Sequence, residues 1–175
     1  MPYKGSYIWK IRQKIGHDLL IVSSADTIVV RNDGKILLCY SLDFDGWTTP
    51  GGSVEPGKTW RESALAELIE EAGISAKIED FIPYAASSGN DWGSLYKNGD
   101  KLLGFSLAFI LTEWTEISNS IDASEVTKKQ FFSLDEIEDL RLSKFAKPLI
   151  DAYKRYSETG AFQMIDLIKK EDDAR

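Results

Sequence analysis

Three glutamates stand out as residues able to do chemistry together. Glu67, Glu70 and Glu71 fall at i, i+3 and i+4, so a helix over residues 59–72 turns all three carboxylates to one face. Ala64, Leu65, Leu68 and Ala72 give that helix an apolar stripe to lay on a sheet. Like charges at this spacing repel by roughly 0.2–0.5 kcal/mol per pair, and no basic residue on the same face relieves them. The carboxyl end of a helix is also the wrong end for acids. One reading is a solvated acidic face. The other comes from Pro50-Gly51-Gly52 just before the helix. Glycines let backbone carbonyls approach a ligand closely, and hard divalent cations take carboxylate, carbonyl and water oxygens.

The rest of the composition narrows the chemistry. The chain has 175 residues, is 43% hydrophobic and carries a formal net charge of −7. That length suits one well-filled core. The acidic balance argues against a nucleic-acid polymer or an anionic membrane surface as partner. Cys39 is the only cysteine, which excludes an intrachain disulfide and a cysteine-based zinc cluster. Its apolar neighbours make it a buried strand residue. His17 is the only histidine and follows Gly16 at the end of a helix-like segment, a capping or surface position. A general base in this protein is therefore expected to be a carboxylate. No stretch has the length and apolarity of a membrane span or the pattern of a signal peptide, so a cytoplasmic location is the expectation.

The elements that must position the glutamates follow from local patterning. Ile8, Ile11 and Ile15 share a face of a helix over 7–15, which Gly16 can end. Apolar runs at 19–22 and 27–30 read as strands. Asn32-Asp33-Gly34 is a tight-turn signal that predicts a hairpin into a strand over 36–40. Residues 46–52 read as a short strand entering a glycine loop. The 59–72 helix begins with a capping box, Thr59 as N-cap and Glu62 three residues on, and Gly73 closes it. Further strands are expected at 76–78, 81–85, 102–111 and 129–132. A second capping box spans Ser133 and Glu136, and a last helix runs over about 143–156. The fold class is α+β, one domain over 1–175 with its core at about 20–155 and a carboxyl-terminal tail at 161–175.

The stretch from Gly52 to Ile74 resembles the Nudix box, behind a Trp-x-x-Pro-Gly-Gly lead-in at Trp47 to Gly52. Gly52, Glu67, Leu68, Glu70, Glu71, Gly73 and Ile74 match seven of nine defined positions. The order of elements over about 20–155 is similar to the Nudix α/β/α sandwich with a mixed central sheet. Lys58 stands where the box has its first Glu, and Ala66 where it has Arg, a pair understood to brace loop and helix. Their joint replacement leaves no orphaned charge.

The resemblance implies metal-assisted hydrolysis of a phosphoanhydride bond in a nucleoside diphosphate linked to another moiety. Mg²⁺ is the expected ion, with Mn²⁺ as a substitute. Glu67 and Glu71 would be the main ligands, and Glu70 a further ligand or the base that orients water. The Gly51 carbonyl would add a backbone oxygen. Glu125 would add an acid from a later loop, with Asp122 as the alternative. ADP-ribose, a nucleotide sugar, a dinucleoside polyphosphate and a nucleoside triphosphate all remain open as substrates.

A long connection over 87–100 holds Trp92 and Tyr96, able either to stack on a nucleobase or to anchor the loop. Asp43, Phe44, Asp45 and Trp47 are candidates for the same pocket. Homodimers are common in the family and remain open here. The competing function is a nucleotide sensor, a Nudix fold that binds without cutting. Lys58 and Ala66 favour that reading, and the intact Glu67, Glu70 and Glu71 oppose it.

Overall fold

The computed structural model describes residues 4–96, 98–118 and 126–168. The strands are β1 (Leu20–Val29), β2 (Ile36–Ser41), β3 (Gly46–Thr48), β4 (Gly51–Ser53), β5 (Ile74–Ser75), β6 (Ile82–Ser88), β7 (Gly93–Leu95), β8 (Lys101–Leu111), β9 (Thr115–Glu116), β10 (Val126–Phe132) and β11 (Gln163–Asp166). The helices are α1 (Tyr7–Ile15), α2 (Trp60–Glu67), α3 (Leu134–Glu138) and α4 (Ala146–Thr159). A π turn, Leu68–Ala72, continues α2.

The main sheet runs β11-β6-β8-β1-β4, with β7 also on β8; a second sheet runs β10-β2-β3 and a small pair joins β5 to β9. The central pair is parallel, from Leu20 opposite Leu102 to Val29 opposite Leu111, and its flanking pairs are antiparallel. The sheet is therefore mixed, as expected. Neighbouring residues alternate between two cores, because successive strand side chains point to opposite faces. Val29, Leu37, Cys39, Phe109 and Leu111 face Ala64, Leu68 and Ala72 of α2 and its π turn. Ile28, Ile36, Leu38, Ala108 and Ile110 face Ile137 of α3 and Ala146, Leu149 and Ile150 of α4. The result is a helix layer on each side of the sheets, an α/β/α sandwich.

Several local expectations change once tertiary pairing is present. The apolar runs at 19–22 and 27–30 form one strand, because the β1–β8 register continues through Ser23, Ser24, Ala25 and Asp26. The Asn32-Asp33-Gly34 turn forms, with Arg31 N–H to Lys35 O at 2.8 Å, but the hairpin does not. Only Val30 and Ile36 bridge before the strands part. Both edges of β1 are taken, by β8 and β4, so β2 pairs with β3 and β10 instead. The glycine loop is itself strand β4, paired on β1. The 76–78 strand is replaced by β5 and a 3₁₀ turn, Ile78–Asp80. The last helix begins at Ala146, whose N–H is met by the Ser143 hydroxyl at 3.2 Å. Within the tail, β11 packs back in parallel on β6, and residues 169–175 lie outside the described residues.

Trp92 belongs to the core facing α4. It is 4% exposed and meets the Phe145 ring edge-on at 5.2 Å. The anchor reading thus describes its packing, and the residue also borders the cleft that Phe44, Tyr96 and Asp26 line. Trp92→Ala is expected to lower unfolding free energy by roughly 3–5 kcal/mol in a urea titration. A loss below about 1 kcal/mol would contradict this placement.

Candidate active site

The site is built where the end of α2 meets β4. Thr59 caps α2, accepting from Glu62 N–H while the Glu62 side chain accepts from Thr59 N–H at 2.7 Å. Past Glu67 the helix widens into the π turn, and Gly73, at φ 62°, closes it by donating to Ile69 O. Such single π turns inside α-helices are frequent at functional sites. Here the three carboxylates lie at different depths. Glu71 is 7% exposed and accepts from Gly51 N–H at 3.0 Å. Glu67 is half-buried and lies against Gly52, where a Cβ would collide with its carboxylate. Glu70 is exposed. At Gly51 a Cβ would meet the Ala25 carbonyl and the Asp26 backbone, so that position is closed to a side chain, whereas at Gly52 it is the Glu67 carboxylate that would have to move.

The charge problem seen in the sequence is answered from a distant strand. Lys129 of β10 donates to Ala72 O at 2.7 Å and pairs with Glu116 at 2.7 Å. It places a cation at the carboxyl end of the acidic helix, where one is stabilising. The Cys39 thiol, its pKa pushed up by burial and by nearby Glu71, donates weakly to Glu71 O at 3.8 Å.

Two adjoining clefts open from this corner, of about 190 and 150 Å³. Glu67, Glu70, Glu71 and Gly51 all line the first, with Asp43, Glu55, Lys58, Ser63 and Ala66. Phe44 and Tyr96 line both, their rings 6.2 Å apart. Trp47 lines neither cleft; it packs edge-on against Phe132 at 4.8 Å and Tyr40 at 5.5 Å. Asp45 accepts from Tyr40 OH and pairs with Arg141, both at 2.8 Å, away from the clefts. Glu125 and Asp122 lie outside the described residues.

Helix α1 forms part of the rim through Ser6 and Ile8. It is held there by Tyr7 N–H to the Glu55 carboxylate at 3.1 Å and by Arg12 donating to Lys101 O at 2.7 Å. His17, largely exposed, bonds Asp100 at 2.8 Å. Burial raises the Asp100 pKa, but the His17 and Asn98 hydrogen bonds and the Arg12 charge outweigh it, and the net shift is downward.

Among the described residues no three acidic, histidine or cysteine groups close on a single point. The donor set is nevertheless that of a hard cation, carboxylate oxygens beside a strand stripped of side chains, with no sulfur or imidazole lining either cleft. The bare glycine face that holds Glu67 and Glu71 is the structural fit to a metal.

Asp26 is the site residue that patterning did not reveal. It lines the second cleft with Ser24, Thr48 and Thr49 and accepts from the Ser106 hydroxyl. Burial pushes its pKa from 3.8 up to about 6, with the Ser106 and Thr49 hydroxyls pulling the other way. The available signal was an acid amid a strand of the core, costly to bury without a partner. Because the folded-state pKa is the higher one, folding favours the protonated acid. Stability therefore falls as pH rises from about 4 to about 6 and stays reduced above that. Asp26→Asn should raise the metal-free protein's stability at pH 8, by at most about 3 kcal/mol, and the gain should fade at pH 4. An equal effect at both pH values would contradict the assignment.

Comparison with known proteins identifies the family. A match to the NUDIX domain covers residues 21–153. An RNA pyrophosphohydrolase of Erythrobacter litoralis is 25% identical over 144 residues, 75% of this chain and 84% of that protein. A putative 8-oxo-dGTP diphosphatase of Bacillus subtilis is 36% identical over 59 residues, 34% of this chain and 40% of that protein. The crystal structure of a UDP-X diphosphatase superposes with a TM-score of 0.59 at 20% identity, covering 90% of this chain and 73% of that one. With the glycine strand, the glutamate helix and the sandwich that joins them, the chain belongs to the Nudix hydrolase family.

Proposed function

We propose that the clefts hydrolyse a phosphoanhydride bond in a nucleoside diphosphate linked to another moiety, in a reaction that requires Mg²⁺ or Mn²⁺. The observation that carries this is the bare face of β4, with Glu67 and Glu71 drawn onto it and Glu70 exposed beside them. Glu67, Glu71, Glu70 and the Gly51 carbonyl would hold the ion, joined by Glu125. The bound ion would neutralise phosphate charge and polarise the bond to be cut.

The chain's own residues divide the remaining work. Glu71 gives one carboxylate oxygen to Gly51 N–H, and that bond holds it against β4. Glu70, exposed at the cleft, is the better placed to orient a water and take its proton. Phe44 and Tyr96 offer aromatic surface to a nucleobase. Asp26, Ser24 and Thr49 offer polar groups to its edge. The relatives named above are a pyrophosphohydrolase and two diphosphatases, which supports the reaction type and leaves the leaving moiety to experiment. Small nucleotides are the proposed substrates.

The test is phosphate and pyrophosphate release from ADP-ribose, UDP-sugars and nucleoside triphosphates, with and without Mg²⁺ or Mn²⁺. Metal-dependent turnover is expected, falling on the order of 100-fold in Glu71→Gln, within the range seen when one catalytic contact is removed. No turnover across the panel, with nucleotides still bound, would replace the hydrolase by a nucleotide sensor.

A further inference from the structure

The two departures from the Nudix box fall in one place. Lys58 and Ala66 both line the first cleft, with Ser63 between them in sequence and Glu67 beside them. Ser63, Ala66 and Glu67 stand at i, i+3 and i+4, so they form one wall of the cleft along α2.

Three observations bear on what this wall receives. Lys58 is the only basic side chain lining either cleft among the described residues, against Asp43, Glu55, Glu67, Glu70 and Glu71 in the first and Asp26 and Glu71 in the second. It makes no ion pair among the described residues, and its charge is felt only at longer range by Glu62. The Ser63 hydroxyl is 3% exposed and has no hydrogen-bond partner, although buried hydroxyls normally have one. Ala66 presents only a methyl group to this wall, so no arginine stands there to compete for an anion.

We propose that Lys58 and Ser63 form a phosphate subsite, taking a phosphoryl group of the substrate that the metal does not hold. The ammonium supplies charge and the hydroxyl supplies one hydrogen bond. The arrangement favours substrates whose phosphate chain extends beyond a diphosphate, that is, a 5′-triphosphate. A free nucleotide and the 5′ end of an RNA share that chemistry. The proposal rests on the phosphoanhydride reading above and adds which substrates it prefers.

The direct probe is inorganic triphosphate, titrated calorimetrically into the protein in EDTA, so that no metal contributes. Wild type is expected to bind it more tightly than pyrophosphate. Lys58→Gln should weaken triphosphate binding about tenfold, Lys58→Arg should retain most of it, and Ser63→Ala should weaken it two- to fivefold. In the presence of Mg²⁺, Lys58→Gln should raise KM for a nucleoside triphosphate about tenfold with kcat changed less than threefold. The same comparison with a 5′-triphosphate RNA oligonucleotide separates the two sources, since the true one shows the larger rise in KM. Triphosphate binding unchanged in both Lys58→Gln and Ser63→Ala would overturn the subsite. Because Glu71→Gln is assayed separately, that result would leave the hydrolase reading standing, whereas loss of all turnover in the wild type would remove the reading and leave the EDTA binding data to judge the subsite alone.

Discussion

The hydrogen bond from Gly51 N–H to the Glu71 carboxylate ties the end of a helix to the edge strand of a sheet, and the rest of the site is arranged around it. A carboxylate can reach that backbone only because Gly51 and Gly52 have no side chains to hold it away. The helix has to arrive at the right height, which Ala64, Leu68 and Ala72 ensure by packing on the face of Ala25, Val29 and Leu37. The strand has to be fixed as well, and its pairing of Ala25 with Gly52 and Asp26 with Gly51 does that. Bringing acids together at the carboxyl end of a helix is unfavourable in itself. Burial of the apolar stripe and the Lys129 ammonium on Ala72 O offset that cost.

The same constraint explains the shape of the substrate region. Because β4 occupies one edge of β1 and β8 the other, Ser24 and Asp26 come to lie directly beside the glycine strand. The glutamate corner and the polar floor of the second cleft are thus two halves of one strand pair. The β7–β8 hairpin brings Tyr96 over both halves, and Asp100, held by His17 and Arg12, fixes the turn of that hairpin beside α1. A change in α1 should therefore be felt at the cleft rim, through contacts that involve no catalytic group.

Local signals in the sequence were read well where the physics is local. The Thr59 and Ser133 capping boxes and the Gly73 stop depend on residues within a few positions of one another, and each forms as expected. The hairpin after Asn32-Asp33-Gly34 failed because strand pairing is decided by which edges are free, a property of the assembled sheet. Asp26 is hidden from local patterning because Ser23-Ser24-Ala25-Asp26 looks like a break between apolar runs, whereas a polar cleft within a core strand gives the same pattern. Lys129 could not be connected with Ala72 by helix spacing, since it arrives from β10. The aromatic candidates divided for a similar reason: Tyr96 faces both clefts, Trp92 packs in the core while bordering the second cleft, and Trp47 lines neither, fates that composition does not distinguish.

The central claim is that the glycine face of β4 and the glutamates of α2 together form the metal site. Mn²⁺ affinity of Gly52→Ala, measured by electron paramagnetic resonance beside wild type, tests it most directly, because the added methyl group displaces Glu67 without altering any charge. The account predicts a protein that still unfolds cooperatively but binds Mn²⁺ at least tenfold more weakly. A folded Gly52→Ala variant with wild-type Mn²⁺ affinity would contradict it.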